Sequence, residues 1–126
     1  MSKVAISAVV IAKNEADRLG ETLKSLQFCN EIIVVDSFST DNTMDVAKSN
    51  NAQVYQQTFL GYGAQKNYGF SKAKNNWVFS VDADEVVTNE LIKEIQDTFN
   101  KEIKDCIAFY LPRKHVFLGK LFKYGK

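Results

Sequence analysis

Proline, histidine and cysteine are nearly missing from this chain: of 126 residues one is Pro, one is His and two are Cys. Cys29 and Cys106 lie far apart and form no metal-type spacing, which excludes a disulfide-stapled scaffold and a cysteine-rich zinc site. Reduced thiols in a cytosolic protein are the expectation. His115 has no Cys or acid at ligand spacing and reads as a surface side chain. No apolar run approaches the roughly 20 residues that cross a bilayer. The amino-terminal run, MSKVAISAVVIAKNE, has no small-residue cleavage site and reads as a first strand rather than a signal peptide. Low-complexity tracts and internal repeats are absent as well. So are G-x-x-x-x-G-K-[ST], G-x-G-x-x-G and G-x-S-x-G, which removes the usual sequence support for a nucleotide hydrolase, a dinucleotide oxidoreductase or a serine hydrolase.

What is present fits one compact domain, with 45% hydrophobic and 25% charged residues. The net charge of +1 is unevenly spread. Residues 113–126 carry Arg113, Lys114, Lys120, Lys123 and Lys126 with no acid, leaving the remainder at −4. Short β-branched runs alternate with amphipathic stretches. Val4 to Ile11 reads as a buried strand. Asn14 is placed to cap a helix, with Asp17 three residues on in the manner of a capping box and Ala16, Leu19, Leu23 and Leu26 on one face. Glu31–Asp36 reads as a strand, Ser39–Ser49 as a helix start and helix, and Ala52–Tyr55 as a short strand. Tyr62–Ala73 reads as a helix, Trp77–Val81 as a strand, Asn89–Phe99 as a helix and Cys106–Leu111 as a strand. This alternation predicts an α/β fold, a mostly parallel sheet flanked by helices.

In such folds ligands bind beyond the carboxyl ends of the strands. Three polar clusters fall there: Lys13-Asn14-Glu15, Asp36-Ser37 and Asp82-Ala83-Asp84-Glu85. Asp82 and Asp84 are hard oxygen donors of the kind that hold Mg²⁺ or Mn²⁺ while substrate phosphates and water complete the shell. The plainer alternative makes them turn and cap residues before the next helix. Asp36 likewise suits an Asx-turn. Lys66, in GYGAQKNYGF, is either a solvated helix lysine or a phosphate ligand, with Gly61 and Gly63 permitting a close approach.

VVIAKNEADRL, EIIVVDSFSTDNT, GAQKNYG and WVFSVDADEVV, in this order and spacing, resemble the nucleotide-binding half of family 2 glycosyltransferases of GT-A fold. Within that family the chain is most similar to the transferases of the lipopolysaccharide core. The resemblance covers roughly residues 4 to 115. It implies inverting transfer of a sugar, glucose among the candidates, from a UDP-sugar to a lipopolysaccharide-core or lipid-linked saccharide. Ala12, Lys13, Asn14 and Glu15 would line the nucleoside pocket, and Asp36 would accept the uracil imide N–H. Lys66 would lie near the nucleotide, Asp82 would meet ribose or metal, and Asp84 would hold Mn²⁺ or Mg²⁺.

At three places the chain departs from many relatives. Ile11-Ala12-Lys13 brings no aromatic ring to stack on the base, Phe38 stands where glycine is commoner, and Ser37 replaces an aspartate. The resemblance further implies a nucleotide-sugar domain over residues 1–112. Residues 113–126 would begin an acceptor-binding segment, and the catalytic base would lie beyond Lys126. Aromatic and basic residues interleave in 116–126, which suits contact with an anionic membrane surface; a strand or hairpin is the plainer reading. The expected location is the cytoplasm, peripheral to the inner face of the cytoplasmic membrane, with no nucleic-acid partner. Two rival readings are a catalytically incomplete fragment serving as a partner module, and a receiver-like regulatory domain of similar length with strand-end acids and a lysine.

Overall fold

The computed structural model describes residues 3–100, 108–110 and 117–120. Among these residues six strands form one sheet in the order β3-β2-β1-β4-β6-β5. β1 (Val4–Ala12), β2 (Cys29–Asp36), β3 (Gln53–Gln56) and β4 (Trp77–Asp82) run parallel, while β6 (Phe117–Lys120) lies antiparallel to both β4 and β5 (Ala108–Tyr110). The helices are α1 (Ala16–Lys24), α2 (Thr43–Ser49), α3 (Tyr62–Ser71) and α4 (Asn89–Asn100). A receiver-like domain would order its parallel strands 2-1-3-4-5. The 3-2-1-4 order seen here overturns that rival reading.

Side-chain alternation along the buried strands builds the layers. Ile6, Ala8 and Val10 of β1, Ile32 and Val34 of β2, and Phe79 and Val81 of β4 face a core completed by Leu19 and Leu23 of α1, Ala47 of α2 and Leu91 and Ile95 of α4. Val9, Ile33, Val35 and Val78 face the other way, toward Tyr68 and Phe70 of α3 and Ala73 just beyond it. The result is three layers: α1, α2 and α4, then the sheet, then α3. Cys29 is buried in the first core, and burial pushes its thiol far up, away from reactive thiolate.

At α3 the close approach comes from Gly69, where a Cβ would stand 2.4 Å from Val9 Cγ1 and 3.1 Å from Val35 Cγ2. Gly61 and Gly63, expected to permit a close approach of phosphate near Lys66, play no part in this helix–sheet contact. A Cβ at Gly63 would meet nothing within 4 Å, and Gly61 serves instead through a backbone φ of +110° that side-chain-bearing residues rarely adopt. Cys106, His115, Arg113, Lys114, Lys123 and Lys126, and with them most of the basic segment, lie outside the described residues. Of that segment, residues 117–120 pair as β6 with β4.

Candidate functional site

The strand order reverses at β1, which has β2 on one side and β4 on the other. There Ala12 pairs with Asp36 and Ile11 with Asp82, so both aspartates leave the sheet beside the end of β1. A cleft of about 420 Å³ opens at this switch point. It is lined by Ile11, Ala12, Lys13 and Glu15 at and beyond the end of β1, by Ser37 just after β2, and by Asp82, Ala83 and Asp84 at and beyond the end of β4. Phe59, Tyr62 and Lys66 of the β3–α3 connection and α3 close the other wall. The structure thus brings together six residues singled out from sequence: Ala12, Lys13, Glu15, Lys66, Asp82 and Asp84.

Asn14 and Asp36 are placed behind that lining. Asn14 was expected to cap α1, but Glu15 occupies the cap position and makes no side-chain cap hydrogen bond. Asn14 instead takes a left-handed φ of +52°, which Asn tolerates better than most residues. Its Oδ1 accepts from the Thr40 N–H at 2.8 Å and the Asp41 N–H at 3.3 Å, and its own N–H donates to Ser39 Oγ at 2.8 Å. Its side chain is thereby committed to the β2–α2 loop. Asp36 is fully buried, and its carboxylate accepts from the Ser39 N–H at 2.9 Å and the Ser39 hydroxyl at 2.5 Å.

Further bonds lace the same loops. Asp41 accepts from the Thr43 hydroxyl, from the Thr43 N–H at 3.0 Å and from the Ala16 N–H at 3.3 Å. The Thr43 hydroxyl bond, with these backbone donors, holds its carboxyl below the usual carboxylate range. Thr43 Oγ1 in turn accepts from the Glu15 N–H at 2.9 Å.

The acidic cluster after β4 is a turn. The Glu85 N–H donates to the Asp82 carbonyl at 3.0 Å, Ala83 is buried, and Asp84 is exposed. The fully buried Thr22 of α1 donates its hydroxyl to the Ala83 carbonyl at 2.8 Å, and Ser25 Oγ accepts from the Val87 N–H at 3.0 Å. Helix α1 therefore holds the turn in place, a long-range link with no local sequence signal. Arg18 on the same helix lies 3.7 Å from Glu15 and 3.6 Å from Asp84.

That arrangement tests the donor set for a cation. Asp84 already pairs with the guanidinium of Arg18 at 3.6 Å, a contact that a cation held by Asp84 would displace. Asp82 lines the same cleft. Among the described residues no three His, Cys, Asp or Glu side chains are grouped to hold a metal by themselves. Two carboxylates on an open cleft fit Mg²⁺ or Mn²⁺, which keep several positions for water and substrate phosphate.

On the opposite wall, the fully buried Gln65 donates through Nε2 to Ser37 Oγ at 3.1 Å and to the Gln57 carbonyl at 3.3 Å. It ties α3 to the end of β2. Phe59 and Tyr62 were missed from sequence, although two aromatics flanking Gly61 in TFLGYG were the available signal. Their rings meet edge to face at 5.1 Å. Among the described residues no helix is long and apolar enough to cross a membrane.

Compared with known proteins, residues 7–118 match the sequence profile described as glycosyl transferase family 2. An uncharacterized glycosyltransferase of Rickettsia bellii is 42% identical over 106 residues, covering 83% of this chain and 36% of its own. The lipopolysaccharide core biosynthesis glycosyltransferase LpsC of Rhizobium meliloti is 29% identical over 93% of this chain and 45% of its own length. Glucosyl-3-phosphoglycerate synthase of Mycobacterium tuberculosis, solved with Mn²⁺, UDP and glucosyl-3-phosphoglycerate, superposes with a TM-score of 0.64. That match is 23% identical and covers 78% of this chain and 40% of the other. The chain therefore spans less than half the length of each of these proteins.

Proposed function

The chain belongs to glycosyl transferase family 2, and from that premise we propose that its cleft binds a UDP-linked sugar with Mn²⁺ or Mg²⁺. This is the donor side of sugar transfer, glucose among the candidates, to a lipopolysaccharide-core or related saccharide. The observation that carries the reading is the lining of one cleft at the switch point: carboxylates at the β4 end, and a lysine and aromatic rings on the α3 side. The LpsC likeness supports a core-saccharide acceptor, and the fold shared with an enzyme solved with UDP and Mn²⁺ supports the donor.

Transfer breaks the bond between the sugar's anomeric carbon and the diphosphate, so negative charge grows on the leaving group. A cation held by Asp84, with Asp82, would offset that charge. Lys66, half-buried in the opposite wall, would add a fixed positive charge near the nucleotide. Ala12, Lys13 and Glu15 would line the nucleoside pocket. Asn14 and Asp36 would contribute by fixing the loops after β1 and β2, and recognition of the uracil imide would need the fully buried Asp36 carboxylate to become reachable from the cleft. Inversion requires the acceptor hydroxyl to attack opposite the diphosphate, with a base to take its proton. Glu15, Asp82 and Asp84, the carboxylates of the described cleft, serve the donor in this scheme, so none of them is assigned as that base.

Calorimetric titration of UDP, GDP, ADP and CDP at fixed Mn²⁺ tests the donor. UDP is expected to bind most tightly. Equal affinities across the four would contradict a uridine-selective cleft.

A further inference from the structure

We propose that Phe59 and Tyr62 form the nucleobase platform of this cleft, with the pyrimidine ring stacking on an open face of the aromatic pair. The inference rests on the sugar-nucleotide reading above and adds to it the residues that grip the base.

The layout of the sheet fixes which end of the cleft takes which part of a donor. Strands run β3-β2-β1-β4 across it, and the carboxylates suited to the cation follow β4. Strands about 4.8 Å apart put the end of β3 roughly 14 Å from the end of β4. A diphosphate anchored at Asp82 and Asp84 therefore directs its nucleoside past β1 and Ser37, toward the connection that follows β3. Phe59 and Tyr62 stand on that connection and line the cleft.

Both rings are poorly explained as core. Phe59 is 46% exposed and Tyr62 70% exposed, while the buried face of α3 is made by Gln65 and Gly69. Their edge-to-face contact occupies one face of one ring and leaves others open for a third plane. Gly61, between them, holds a φ of +110° that brings the loop into the first turn of α3 with Tyr62 at its start. Lys66 follows Tyr62 by four residues, on the same side of the helix, so ring and cation face the cleft together. The opposite wall, Ile11-Ala12-Lys13, offers no aromatic ring, and among the described residues lining the cleft the aromatic ones are Phe59 and Tyr62.

The test is calorimetry of UDP and of pyrophosphate, each with Mn²⁺, on wild type, Phe59→Ala, Tyr62→Ala and the ring-keeping Tyr62→Phe. Alanine truncation of a base-stacking aromatic weakens binding by about 5- to 150-fold. At least one alanine variant is expected to lose UDP affinity within that range while pyrophosphate affinity stays within about twofold. Tyr62→Phe is expected to bind UDP as wild type does. Unchanged UDP affinity in both alanine variants would overturn the platform, and so would an equal loss for pyrophosphate, which reports a distorted cleft rather than a lost stack. Wild type binding UDP no better than pyrophosphate would overturn the platform and leave the diphosphate–cation site standing. Wild type binding neither would overturn the sugar-nucleotide reading itself.

Discussion

At the residue scale, the departures from the family pattern are explained by backbone geometry at one position and remain local at the others. Phe38 stands where glycine is commoner, and its φ of +58° shows why glycine suits the place. A left-handed L-residue costs roughly 1–2 kcal/mol. Phe38 is 51% exposed, so it returns little of that through burial. Phe38→Gly should therefore raise stability by about 0.5–1 kcal/mol, after allowing for the extra chain entropy that glycine loses on folding. Urea unfolding measures it. Destabilisation would mean that the ring makes contacts worth more than the strain. Asn14 teaches a related lesson. Its position before a helical pattern pointed to capping, but Asn also tolerates left-handed backbone, and four hydrogen bonds to the 39–41 loop decide in favour of the second use.

At the element scale, strands were the most legible part because buried parallel strands write themselves as β-branched runs. The predicted Trp77–Val81 strand becomes Trp77–Asp82, and Glu31–Asp36 extends back to Cys29. The strand-end clusters were equally visible, since polar residues after an apolar run mark where the sheet stops. Helix α3 was found, but its buried face was not, because Gln65 and Gly69 carry no apolar periodicity. Gly69 in particular is a contact between elements: α3 lies so close to β1 and β2 that a methyl group has no room. Gly69→Ala gains up to about 1 kcal/mol of helix propensity. Overpacking against Val9 and Val35 costs about 1–3 kcal/mol. Net destabilisation of about 1 kcal/mol is expected, together with weaker UDP binding as α3 carries Tyr62 and Lys66 outward. Unaltered stability and binding would show that α3 shifts freely and does not set the width of the cleft. The hydrogen bond from Thr22 to the Ala83 carbonyl was illegible for the same reason, since 61 residues separate partners that only the folded sheet brings together.

At the scale of the whole molecule, the architecture follows from topology more than from any single motif. An Asp-x-Asp pair is ambiguous in sequence, a turn or a ligand set. The 3-2-1-4 parallel order resolves where it sits: beside the end of β1, across the cleft from Lys66 and the aromatic pair. For Phe59 and Tyr62 the sequence shows two aromatics about Gly61, but only the folded sheet shows that they face the cleft. The central claim is that one cleft holds nucleotide and cation together through Asp84. Asp84→Asn keeps size and removes charge at an exposed turn, so the fold should survive. The decisive measurement is UDP affinity by calorimetry, in Mn²⁺ and in EDTA, for wild type and Asp84→Asn. Wild type should bind about tenfold or more tightly with Mn²⁺, a difference of about 1.4 kcal/mol, and Asp84→Asn should bring that ratio close to one. A variant that weakens UDP binding equally in both buffers, or leaves the Mn²⁺ advantage intact, would contradict the account.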